Sequence, residues 1–242
     1  MPQLSDELTA AARRRSMADN PFIRNLRAGA YRRQDLAVYF LRLWHMADRA
    51  PRVLAACLAS CPDRATRRFL TQNLLEEEGF LPRGAGFALA DRRDLRHRGW
   101  VERLLDAVGC DRDAIERTAP RSDTRPSGFR WLDQRLAAGD WLGALAFTTL
   151  GFEANCPETY RLVAEPLRKS YGFAADELAF FDNHVTADEL HGQDGLALLT
   201  RTITTPEDRA RALAGARRGG DGWWWLHRAS HELIRRGGVA AG

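Results

Sequence analysis

The sequence predicts an all-α protein folded as a single helical bundle, and three observations carry that reading. Apolar residues recur at helical spacing along almost the whole chain. No run alternates apolar and polar residues between turns, as a half-buried strand does. No repeat, low-complexity tract or shift of composition marks a boundary, so residues 1–242 read as one domain. A chain of 242 residues, 45% hydrophobic and 28% charged, is neither disordered nor fibrous.

The elements follow in order. Residues 4–17 carry helical spacing and end on Arg13, Arg14 and Arg15, which suit a helix C-terminus. Asn20 and Pro21 read as an N-cap and first helical residue. A long helix is expected from Arg33 to about Ser60, with Pro51 placed to kink it. Cys61-Pro62-Asp63 breaks the chain, and Asp63 caps a helix that closes at Glu78-Gly79. Residues 80–94 read as a loop insertion. Helix resumes near Leu95 and stops at Gly109, which has the place of a C′ glycine. Asp111 opens a short helix, and 119–128 form a second loop. Helices are then expected at about 129–138, 141–167, 174–201 and 205–235.

The net charge is +4, from 36 basic and 32 acidic residues, and the surplus arginines are scattered. Phosphate tracking needs a basic stripe, so no nucleic-acid partner is expected. Four cysteines, Cys57, Cys61, Cys110 and Cys156, include no CxxC pair. Cys57 and Cys61 share one helix face and read as buried small hydrophobes. The N-terminal MPQLSDELTAAARRR has acids and no apolar core, unlike a secretory signal. No apolar run approaches the ~20 residues that span a bilayer. The expectation is a cytoplasmic protein with reduced thiols and no membrane partner.

The chemistry sits in FFDNHVTADELHGQDGLALL. His184, Asp188 and His191 are spaced four and three apart, which puts them within roughly a 60° arc of one helix face. Two imidazoles and a carboxylate there form half of a metal site suited to iron, manganese or zinc. A solvated polar face is the competing reading, but Phe180, Phe181, Val185, Leu190, Leu196 and Leu199 flank the triplet with apolar bulk.

Partners must come from other helices. Glu153 lies inside an otherwise apolar helix, where an acid has to be paired, protonated or metal-bound. Glu76, Glu77 and Glu78 close a helix whose C-terminus disfavours negative charge, so at least one needs another reason to be there. His97 opens the helix HRGWVERLLDAVG. His45, beside Trp44, fits core or pocket. His227 and His231, four apart after Trp223, Trp224 and Trp225, read as a surface or interface pair.

Taken together, these segments resemble the haem-oxygenase-like helical superfamily that contains thiaminase II and pyrroloquinoline quinone synthase. NPFIRNLRAG and SCPDRATRRFL, ahead of NLLEEEG, are similar to the quinone synthase, and the likeness runs over about residues 20–235. The polar residues resemble a different branch, the haem-oxygenase-like non-haem diiron oxidases. That branch carries an acid two residues before Gly in N-L-x-E-E-x-G, a His opening a later helix, an acid on a further helix, and His-x3-Asp-x2-His. The resemblance thus implies metal ligands Glu77, His97, Glu153, His184, Asp188 and His191. The interval from Glu77 to His97 is longer than the branch usually has, and Glu76 is the alternative acid.

The resemblance further implies two Fe(II) per chain, O₂ as co-substrate, and a small, amino-acid-like metabolite as substrate in a biosynthetic pathway. A homodimer is expected, with room for an external electron donor. Three other readings compete: a metal-free oxidase like the quinone synthase, a thiaminase-like hydrolase using Cys156, and a non-catalytic binding protein docking through Trp223–Trp225. The acids at 77, 153 and 188 argue against the metal-free oxidase, no His stands placed to activate Cys156, and metal content separates the diiron reading from all three.

Overall fold

The computed structural model describes residues 3–82, 89–91, 96–110 and 127–237. They form an all-α bundle: α1 (Leu4–Ala12), α2 (Pro21–Arg27), α3 (Ala37–Ser60), α4 (Arg64–Glu77), α5 (His97–Ala107), α6 (Ser127–Ala137), α7 (Trp141–Leu145), α8 (Cys156–Tyr171), α9 (Ala179–Thr202) and α10 (Pro206–Arg235). The local signals act as the sequence indicates. The Asn20 side chain accepts the Phe22 N–H, and Asp63 accepts the Thr66 N–H. Gly79 and Gly109 end their helices with φ of 72°.

The first helix stops at Ala12, short of Arg13, Arg14 and Arg15 and of the expected residue 17, and Arg33–Leu36 form a 3₁₀ turn ahead of α3. Two further stretches depart from expectation. Phe80–Pro82 and Leu89–Asp91 pair antiparallel, Leu81 opposite Ala90, where the sequence reads as loop. The rest of that insertion, the short helix after Asp111 and the loop from 119 to 126 lie outside the described residues. The second departure bears on the site. The helix expected over 141–167 is broken. After α7, residues Ala146–Leu150 form a π turn, Gly151 N–H bonding back to Ala146 O at 3.3 Å. A 3₁₀ turn, Glu153–Asn155, then leads into α8. The Asn155 side chain donates to the carbonyls of Leu150 and Gly151, at 3.2 and 3.0 Å, and so satisfies groups that the break would leave bare.

Helix α10 holds this break in place. It packs against α1, α2, α3, α6, α7 and the π turn. Glycines make the approach possible: a Cβ on Gly219 would stand 2.8 Å from Gly151 Cα and closer still to the Phe147 carbonyl oxygen. Helix α9 lies along α8 and crosses the break, seating Gly195 on Thr149 and Gly192 on Ala154. The core is continuous, with Tyr39, Tyr160, Trp223, Phe147, Phe180 and Phe181 among its fully buried side chains. Among the described residues, no helix is long and apolar enough to cross a membrane.

Candidate metal centre

Four elements deliver acids and imidazoles to one place. The end of α4 brings Glu76 and Glu77, the first residue of α5 is His97, the 3₁₀ turn brings Glu153, and α9 brings His184, Asp188 and His191. His97 Nδ1 lies 2.8 Å from Glu77 Oε2, and His191 Nε2 lies 2.9 Å from Glu76 Oε2. His191 Nδ1 is 3.7 Å from Asp188 Oδ1. The His97 and His184 rings stand 4.3 Å apart. The structure thus gathers all six implied ligands and adds Glu76, so both acids that the sequence leaves as alternatives face the cluster. Gln72 donates to Glu76 at 3.0 Å.

Burial makes the arrangement electrostatically tense. Asp188 is 4% exposed and His184 8% exposed. Glu153 Oε2 and Asp188 Oδ2 are buried with no hydrogen-bond partner. His97 Nδ1 is likewise without one, because its approach to Glu77 is close but not aligned for a hydrogen bond. Unpaired buried acceptors of this kind are costly unless a cation meets them. The side chains share protons in compensation. Burial, reinforced by Asp188, pushes Glu153 up to about 8. Burial pulls His191 down, but Asp188 and Glu76 outweigh it and raise it to about 10. Burial likewise opposes charge on Glu77 and His97, yet their attraction wins, lowering the acid and raising the imidazole. Burial and the nearby His97 hold His184 below the usual histidine range.

The donor set fits a metal by its chemistry. His184 Nδ1 is 2.6 Å from the Phe180 carbonyl oxygen, which can only accept, so Nδ1 carries the proton and Nε2 keeps its lone pair. A backbone carbonyl orienting an imidazole in this way is the usual support of a ligating histidine. Among the described residues no three donors already surround one point at ligand distance. The acids and imidazoles pair with one another instead, and would turn from those pairs toward an ion.

Beside the cluster lies a cavity of about 80 Å³. Its walls are mainly apolar, from Met46, Val53, Leu54, Phe129, Phe147 and Phe152, while Glu77, Glu153, His184 and Asp188 close one end. Arg49, ion-paired with Asp133 and lying over the Phe129 ring at 5.0 Å, is the cation on its wall. On the other side of Glu77 is a charged cleft bordered by Asp48, Arg52, Arg98 and Glu102.

Tyr160 and Cys156, on one face of α8, also line the cavity, and the sequence reading gives Tyr160 no role. The i, i+4 spacing of Cys156 and Tyr160 just beyond Glu153 is the signal that marks them. Cys156 is buried, and burial followed by the charge of Asp188 pushes its thiol well up, the reverse of an activated nucleophile. His45 packs edge-on to Trp44. His227, expected at the surface, is instead 0% exposed. Its helix turns residues 223 and 227 to the same inward face as Gly219, with Trp223 also buried and Trp225 exposed.

Known proteins give this geometry its context. The chain is 25% identical over 232 residues to a 4-aminobenzoate synthase of Nitrosomonas europaea, covering 90% of this chain and 87% of that one. It is 22% identical over 205 residues to a 4-aminobenzoate synthase of Chlamydia muridarum, covering 84% and 80%. A solved domain with a haem-oxygenase-like fold from Shewanella denitrificans superposes with a TM-score of 0.72 at 16% identity, covering 98% of this chain and 93% of that one. A TenA homologue from Pseudomonas syringae does so with a TM-score of 0.71 at 14% identity, covering 95% and 91%. These likenesses establish the haem-oxygenase-like fold. Residues 37–224, which hold every member of the cluster, match the iron-containing redox enzyme family, and the chain belongs to that family.

Proposed function

We propose that this protein is an O₂-dependent non-haem diiron oxidase acting on a small, amino-acid-like metabolite in a biosynthetic pathway. The observation that carries the reading is the buried cluster of four acids and three imidazoles, with Glu153 Oε2 and Asp188 Oδ2 unpartnered, at one end of an apolar cavity. Glu77, His97, Glu153, His184, Asp188 and His191 would hold two Fe(II), with Glu76 available to the same ions. An iron pair with open positions supplies O₂ activation, which amino-acid side chains cannot perform by themselves.

The remaining work falls to the chain's own residues. The Phe180 carbonyl fixes the His184 tautomer, so the ring offers Nε2. The apolar walls from Met46 to Phe152 exclude water and strengthen each charge interaction at the closed end. Arg49, on the cavity wall, can exchange its partner Asp133 for an anionic group of the substrate. The small cavity and the names of the relatives, 4-aminobenzoate synthases, both support a compact amino-acid-like molecule. A cytoplasmic homodimer supplied by an external electron donor completes the proposal. The raised thiol of Cys156 does not favour a thiaminase-like hydrolase.

Anaerobic reconstitution tests the reading. The parent should take up close to two Fe(II) per chain, as the six-ligand set implies. His184→Ala and His191→Ala should each lose at least one ion. Parental iron content in both variants would refute the assignment.

A further inference from the structure

Three of the six histidines lie outside the cluster, and two of these, on α10, each meet a tyrosine. The Tyr39 hydroxyl is 3.1 Å from His227 Nε2, and the Tyr31 hydroxyl is 2.8 Å from His231 Nδ1. The first pair is wholly buried, Tyr39 and His227 each being 0% exposed. Its polarity is settled by its neighbours. His227 Nδ1 is 2.9 Å from the Trp223 carbonyl oxygen, an acceptor only, so Nδ1 bears the proton. Nε2 is therefore bare, and the Tyr39 hydroxyl donates to it. Burial pulls His227 down to about 4, which keeps it a neutral base.

Rings in contact join this pair to the metal centre. Tyr160 stands edge-on to His184 at 5.6 Å, and Trp223 stands 5.6 Å from Tyr160. His227 is 4.8 Å from Trp223, and Tyr39 is 5.3 Å from His227. All of these spacings are those of packed aromatic pairs. The members differ in one respect. A ring that gives up an electron in an apolar core becomes a buried cation unless a proton leaves it. No imidazole meets the Tyr160 hydroxyl, which lies beside the Cys156 thiol. Trp223 donates its indole N–H to Thr159 Oγ1 at 2.9 Å, and that hydroxyl donates onward to the Asn155 carbonyl at 2.7 Å, so no base waits there. Tyr39 alone in this row has an imidazole lone pair on its hydroxyl.

We propose that Tyr39 is a one-electron, one-proton reductant of the iron centre, reached through Trp223 and Tyr160, with His227 as its proton acceptor. This rests on the reading of the site as an iron oxidase. In the step, the Tyr39 O–H bond breaks and its proton passes to His227 Nε2. Its electron passes by Trp223 and Tyr160 to the iron centre that O₂ has oxidised, which is reduced by one electron. Tyr39 is left as a neutral phenoxyl radical. Buried Arg42 opposes the new charge on His227, so that proton stays poised to return to the Tyr39 oxygen. Tyr39 thereby disarms a centre that has met O₂ with no substrate in the cavity. The other end of the row runs by buried Phe22, 4.4 Å from Tyr39, to buried Tyr31 and half-buried His231.

The experiment is freeze-quench electron paramagnetic resonance of the iron-loaded protein mixed with O₂ without substrate, with iron content and ferrous oxidation measured on the same samples. The parent should give a phenoxyl signal that narrows when its tyrosines are ring-deuterated. Tyr39→Phe, which keeps the ring and loses only the hydroxyl, should lose the signal, while Tyr31→Phe should retain it. A signal that survives in Tyr39→Phe overturns the assignment. Absence of any radical in a parent that binds and oxidises its iron overturns the relay and leaves the oxidase reading standing. A parent that binds no iron overturns both.

Discussion

Gly219 is the position at which α10 sets the geometry of the site, and Gly219→Ala measures how firmly. The added methyl would stand 2.8 Å from Gly151 Cα and nearer still to the Phe147 carbonyl oxygen. Both obstacles are backbone, so no rotamer change relieves them, and α10 and the π turn must separate. Overpacking of a core costs roughly 1–3 kcal/mol, and a backbone clash belongs at the top of that range. For a protein of this size about 3 kcal/mol lowers the melting temperature by roughly 6–12 °C. Gly222, one turn along the same helix, supplies the control. Its added methyl finds nothing nearer than Gly128 Cα and Phe147 Cζ, both at 3.7 Å, an ordinary contact. There the gain in helix propensity, about 0.5–1 kcal/mol, should raise the melting temperature by a few degrees. Calorimetry on the two variants decides the matter. Gly219→Ala should also bind less iron, because the displaced segment leads into Glu153. A Gly219→Ala protein melting with the parent, or a Gly222→Ala protein falling as far as Gly219→Ala, would refute the argument.

Three further outcomes are expected. His227 is held below its unfolded value of 6.5, at about 4, so its contribution to stability is complete above pH 6.5 and is lost as pH falls through the lower value. The loss amounts to about 3 kcal/mol by the foot of that window, and urea titrations at pH 7 and pH 4 should show it shrinking in His227→Gln. Hydrogen exchange across residues 180–196 should slow when Fe(II) is added, since the metal-free helix carries Asp188 Oδ2 unpartnered and its charge bears on Glu153; strong protection unchanged by iron would contradict this. Light scattering at micromolar concentration should give the mass of a homodimer, and a monomer alone would count against it.

The parts of this molecule that follow from short-range chemistry can be read from its sequence. Asn20, Asp63 and Gly109 act within one turn of their own position, and the triplet His184, Asp188, His191 needs only the pitch of a helix. Glu153 is legible for a related reason: an acid among apolar neighbours must answer to something. What the sequence conceals is set by distant contacts. The break at Ala146–Leu150 lies in residues of good helical pattern, and its cause, the approach of Gly219 to Gly151, joins positions far apart in the chain. That Glu76 and Glu77 both face the cluster is likewise hidden, because His191 and His97 reach the end of α4 from different helices. His227 reads as a surface residue beside arginines until Tyr39 of α3 is seen to cover it. The role of Gly192 and Gly195 is equally distant, since they admit Ala154 and Thr149 against α9.

The π turn has a consequence for how such a site arises and is lost. A π turn holds one residue more than the α-helical turn it replaces. Since each helical residue advances the chain by ~100° around the axis, that single insertion rotates everything after it by about the same angle. Upstream of Ala146 the chain stays in register with the core, while Glu153 is swung toward α9 and the cavity. Removal of one codon between 146 and 150 would restore the α-helical pitch there and turn this carboxylate off the cluster. A sequence lineage can therefore gain or lose the acid's position without altering a glutamate, a histidine or the aspartate, and an alignment that tracks only those residues would miss the change.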